Sequence, residues 1–131
     1  MAKQLQRDQL FSFARDHREE YEELLRQFVE TPTVSVDPAH GEDIRKGVDL
    51  TVETLQRFGV KANVYSVDKG NPVVHGVFGE EKNRPTVTVY NHIDVQPASK
   101  ETEPWETEPF VMTKKGDSYF VSGDNLNAST D

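Results

Sequence analysis

His92 and Asp94, delivered by the apolar run Thr86-Val87-Thr88-Val89-Tyr90, are the residues of this chain whose types and spacing best suit metal chemistry. In extended backbone, side chains two residues apart point to the same side, so the imidazole and the carboxylate can converge on one site. A carboxylate beside an imidazole holds its tautomer and raises its basicity as a ligand. A lone His-x-Asp at a strand end also suits a solvated loop, so the elements around it have to decide.

The other three histidines lie in ordinary contexts. His17 sits on a helical stripe and reads as a packed or half-exposed residue, His40 reads as a solvated loop residue in Ala39-His40-Gly41, and His75 reads as a strand-face residue. Between Gln96 and Pro109, Glu101, Glu103, Glu106 and Glu108 could suggest a cation loop. Calcium loops need a glycine at a tight bend and this segment has prolines instead, so it reads as a solvated acidic loop pinned by Trp105 and Phe110.

The elements that position the pair follow from periodicity. From Gln9 to Glu30, apolar residues recur at three-four spacing through Leu10, Phe13, Ala14, Tyr21, Leu24, Leu25 and Phe28. This predicts one long amphipathic helix that stops at Thr31, ahead of Pro32. After an extended connection from Pro32 to Pro38, a second stripe through Ile44, Val48, Thr51, Leu55 and Phe58 predicts a helix closed by Gly59. Three strand-like runs follow, Ala62–Val67, Val73–Phe78 and Pro85–Tyr90. Val111–Val121 reads as a β-hairpin turning at Lys114-Lys115-Gly116-Asp117. Two helices followed by strands give an α/β layer.

The order His92-Ile93-Asp94-Val95-Gln96-Pro97, then Pro104-Trp105-Glu106-Thr107-Glu108-Pro109-Phe110, then the hairpin, resembles the di-zinc metallopeptidases of the aminoacylase, desuccinylase and dipeptidase family. The Asp-Val-Gln-Pro wording is most similar to the carnosinase-like dipeptidases. The resemblance runs from about Arg18 to Phe120. It implies the amino-terminal part of a three-layer α/β/α catalytic domain, so that residues 1–131 are expected to form one incomplete domain. It further implies two zinc ions as cofactors, and hydrolysis of a peptide or N-acyl amide bond in a small substrate. His92 then corresponds to a zinc ligand, and Asp94 to the catalytic aspartate that orients it.

After Phe120 the chain departs from the family's wording. Where relatives continue with Gly-Arg-Gly, two small residues and Asp-Asp-Lys-Gly, this chain has Val121-Ser122-Gly123-Asp124-Asn125-Leu126-Asn127. Leu126 falls where the bridging aspartate belongs and cannot coordinate zinc. Asp131 is the metal-ligand candidate if the loop carries an insertion, with Asp124 as the alternative. The family's general-base glutamate, remaining carboxylate ligands and distal histidine have no counterpart here. Half a site is the expectation. Histidine with carboxylates suits zinc, and cobalt or manganese can take the same mixed donors.

Composition bounds the alternatives. With 131 residues, 34% hydrophobic and 29% charged, the chain suits one modest core. A net charge of −8 and no basic cluster beyond Lys114-Lys115 argue against a nucleic-acid partner. The lack of cysteine excludes thiolate metal sites and fits a reducing cytoplasm. No window has the apolar length that spans a bilayer and the amino terminus leads into no apolar signal core, so a cytoplasmic location is expected.

Two functions compete. One is the amino-terminal portion of a zinc-dependent dipeptidase-like hydrolase, binding metal weakly and inactive alone. The other is a non-catalytic remnant acting as a folding or partner-binding module. Coding sequence downstream of Asp131 would separate them, since a continuing family pattern there marks a truncated enzyme. Either way, a sheet cut before its later strands exposes an edge and predicts self-association.

Overall fold

The computed structural model describes residues 6–121. Helices α1 (Arg7–Asp16) and α2 (Arg18–Val29) occupy the stretch where the periodicity predicts a single helix. The break falls at His17, whose φ of −107° and ψ of 12° leave the helical region. No proline or glycine causes it. Instead the His17 imidazole stacks on Phe13 at 3.9 Å and its Nδ1 meets the Phe13 carbonyl at 2.9 Å, closing α1 with a side chain. The His17 carbonyl then accepts from the Tyr21 N–H at 3.0 Å and starts α2.

α2 carries its own ion pairs: Arg18 with Glu22, and Arg26 forked between Glu23 and Glu30. Its end is marked by Thr31, whose hydroxyl donates to the Gln27 carbonyl at 2.8 Å, and by Pro32. A single 3₁₀ turn (Pro38–His40), capped by the Asp37 carboxylate accepting from the Ala39 N–H at 2.9 Å, leads into α3 (Gly41–Arg57). His40 is anchored there, with its Nδ1 2.9 Å from Asp43.

At the far end of α3, the Gly59 N–H bonds the Gln56 carbonyl and the Val60 N–H bonds the Leu55 carbonyl, each at 2.9 Å. This is the paired closure of a Schellman motif, which needs the left-handed φ of +77° that Gly59 supplies. The chain is thereby turned back onto α3 as strand β1 (Lys61–Tyr65). β1 pairs antiparallel with β2 (Val73–Val77), Asn63 lying opposite His75. A Cβ at Gly76 would stand 2.7 Å from the Val60 side chain, so glycine lets β2 lie close to the end of α3.

The hairpin forms as β3 (Thr113–Lys115) and β4 (Ser118–Phe120), joined by the two-residue turn Gly116-Asp117 with φ +64° at Gly116. Lys114 and Lys115 belong to the strand rather than the turn. The hairpin reaches α2 through Lys114, 3.5 Å from Glu22.

One predicted strand is not formed. Pro85–Tyr90 has no ladder among the described residues, and Val87, Val89 and Tyr90 are 83%, 76% and 87% exposed. The run has the composition of a strand buried on both faces, and composition cannot provide neighbours. Pairing begins only downstream, at a parallel bridge between Val34 and Val95. The core is correspondingly small: among the described residues, Val29, Val34 and Val48 are the buried apolar side chains, and Thr33 and Thr107 are the buried polar ones. Among the described residues, no helix is long and apolar enough to cross a membrane.

Candidate metal centre

The segment after α2 fixes the segment that carries His92 and Asp94. Thr33, only 4% exposed, donates its hydroxyl to the Ile93 carbonyl, and its own carbonyl accepts from the Val95 N–H at 3.1 Å. Between these bonds, Ser35 donates its hydroxyl to Asp94 Oδ2 at 2.7 Å. Gly47 makes the arrangement possible from the α3 side, because a Cβ there would come within 2.5 Å of the Thr33 methyl.

The geometry within the pair selects the tautomer of the neutral imidazole. His92 Nδ1 lies 3.0 Å from the Asp94 carbonyl and 3.2 Å from Asp94 Oδ1. A carbonyl and an ionised carboxylate only accept, so Nδ1 carries a hydrogen, and in the neutral imidazole the lone pair is on Nε2. The Ser35 hydrogen bond, helped by the imidazole, holds the Asp94 carboxyl below its ordinary value, so it is ionised at neutral pH. The His92 side chain is 67% exposed and faces an open cleft of about 650 Å³. Leu25, Phe28 and Val29 of α2 form an apolar wall of that cleft, and Glu103 and Trp105 line it from the acidic loop.

His92 and Asp94 are therefore brought together as the sequence suggests. Asp131 and its alternative Asp124 lie outside the described residues. No group of three histidine, aspartate or glutamate side chains capable of holding a metal occurs among the described residues. The remaining acidic-loop carboxylates include two in exposed ion pairs, Glu108 with Lys100 and Glu106 with Lys115. Sequence reasoning missed Thr33 and Ser35. Their bonds span 60 and 59 positions, and nothing local in Pro32-Thr33-Val34-Ser35 announces them. It also missed Thr107, which is buried in the loop where Trp105 is 36% exposed.

No protein-family model matches the chain. It is 30% identical over 115 residues to the Cys-Gly metallodipeptidase dug1 of Schizosaccharomyces pombe, covering 81% of this chain and 24% of that protein. It is likewise 30% identical over 121 residues to the Beta-Ala-His dipeptidase of Homo sapiens, covering 82% and 23% respectively. The fold superposes on human carnosine dipeptidase 1 with a TM-score of 0.72 at 30% identity, over 85% of this chain and 26% of that one. On the dipeptidase Dug1p from Saccharomyces cerevisiae the TM-score is 0.67 at 26% identity, over 79% and 24%. The chain thus spans about a quarter of the length of the curated relatives it matches. Sequence and fold together match the chain to an amino-terminal part of these metallodipeptidases.

Proposed function

We propose that this chain supplies one half of a zinc-dependent dipeptidase site, in which His92 ligates the metal through Nε2 and Asp94 orients it, with Asp131 as a bridging ligand. The observation that supports this is the engagement of His92 Nδ1 by Asp94, which leaves Nε2 of the neutral imidazole free to ligate at the edge of the cleft that His92 lines. Neutral imidazole backed by a carboxylate is a donor arrangement that zinc takes readily, and the described residues fit one ligand with its support rather than a full coordination set. When bound, such a metal lowers the pKa of water and polarises a scissile carbonyl. The chain's own contribution is to hold His92 in one tautomer, to keep Asp94 ionised behind it, and to offer the apolar wall of α2 to a small peptide or N-acyl amino acid.

In this reading residues 1–131 are one part of a catalytic domain, working in the cytoplasm and inactive alone, since no full metal-ligand group is assembled among the described residues. Calorimetric titration of zinc into the chain and its His92→Ala variant at neutral pH tests it. Stoichiometric binding that the variant loses is the expected result, without dipeptide hydrolysis by either. Equal binding by both, or turnover by the chain alone, overturns it.

The second reading is a non-catalytic folding or partner-binding module. It draws support from the absence of a three-carboxylate or histidine cluster among the described residues and from the exposed 85–90 run. Zinc binding by neither protein would favour it.

A further inference from the structure

We propose that Ser35 is a positioning residue for the Asp94–His92 pair, setting the carboxylate so that the imidazole is presented in its ligating orientation. This deepens the metal-site reading and rests on it for the metal, but not for the positioning itself.

Asp94 has two carboxylate oxygens with separate partners. Oδ2 accepts from the Ser35 hydroxyl at 2.7 Å, while Oδ1 lies 3.2 Å from His92 Nδ1. The carboxylate is half exposed, so without Ser35 its rotation is opposed by the His92 imidazole and its own backbone N–H, both of its own segment, and, among the described residues, by no donor from a remote one. Ser35 is itself held firmly. Its neighbour Val34 is 2% exposed and bridges Val95, and Thr33 bonds on both sides of Asp94, at Ile93 and Val95. Two backbones registered at Val34 and Val95 place the hydroxyl opposite the carboxylate. A rigid residue from a remote segment therefore fixes a carboxylate that fixes an imidazole.

The test compares the chain with Ser35→Ala and Ser35→Thr, using two readouts. In the metal-free protein, three-bond couplings report the Asp94 χ1 rotamer. Zinc titration reports ligation, where loss of such an orienting partner costs about tenfold or more in affinity. The expected result is a single Asp94 rotamer in the chain, averaging in Ser35→Ala with zinc binding weakened about tenfold, and recovery of both in Ser35→Thr, which keeps the hydroxyl. An unbroken pattern of Val34 and Val95 amide shifts establishes that Ser35→Ala retains the bridge. Unchanged couplings in Ser35→Ala overturn the proposal, as do altered couplings with unaltered zinc affinity. If none of the three proteins binds zinc, the metal reading fails while the couplings still decide whether Ser35 positions Asp94.

Discussion

Val34 and Val95 form a parallel bridge that joins the segment leaving α2 to the segment carrying His92 and Asp94. Val34 is also among the few buried apolar side chains, at 2% exposure. Removing its two methyl groups by Val34→Ala is expected to cost roughly 1–3 kcal/mol, the range for deleting buried methyls and leaving a cavity. Urea denaturation measures this, and an unchanged midpoint would show that the bridge is not where the core lies.

Gly47→Ala sets two effects against each other. Alanine gains about 1 kcal/mol in helix propensity over glycine, yet its Cβ would meet the Thr33 methyl at 2.5 Å. Overpacking of that kind costs about 1–3 kcal/mol, and Thr33 cannot retreat without losing its bond to Ile93. Net destabilisation is expected, with broadening of the Ile93 and Val95 amide resonances. Gly41→Ala is the control, since nothing lies within 4 Å of its added Cβ, and it should be neutral or slightly stabilising.

Hairpin docking on α2 should be acid-sensitive. The Arg18 hydrogen bond holds the Glu22 carboxyl down to about 2 in the fold, against 4.5 for an ordinary glutamate. A depressed folded pKa contributes stability above the unfolded value that is lost as pH falls through the folded one. The contribution of Glu22 is therefore complete above about pH 4.5 and fades between there and about pH 2. Chemical shifts of Lys114 and Tyr119 followed through this window in the chain and in Glu22→Gln measure it, the variant being expected to show no such titration.

Exposure of Val87, Val89 and Tyr90 on an unpaired extended run leads us to expect self-association. Sedimentation velocity should show a coefficient that rises with protein concentration. Val89→Lys should reduce that rise by placing a charge on the edge. A concentration-independent monomer for the original chain would contradict the expectation.

Where local chemistry decides structure, the sequence was readable. Pro32 and Gly59 end α2 and its successor α3 where they should, Gly116 turns the hairpin, and His92 with Asp94 converge as alternation requires. Non-local chemistry was not readable. The helix break at His17 depends on a side chain reaching the Phe13 carbonyl, which periodicity averages away. The 85–90 run has strand propensity without a partner, and propensity is silent about partners. Thr33 and Ser35 matter to the candidate centre through contacts with residues 60 and 59 positions distant, a separation at which no local pattern carries a signal.

That separation also bears on the order of folding. Closing a loop of about sixty residues costs roughly 3–4 kcal/mol of chain entropy, and the Val34–Val95 bridge offers little until closure is complete. The helices, the β1–β2 pair and the β3–β4 hairpin close over far shorter spans and can form first. In pulsed hydrogen exchange, the Val95 amide should therefore gain protection after those of α3 and β1. The His92–Asp94 pair is thus expected to be assembled last, on a scaffold already standing.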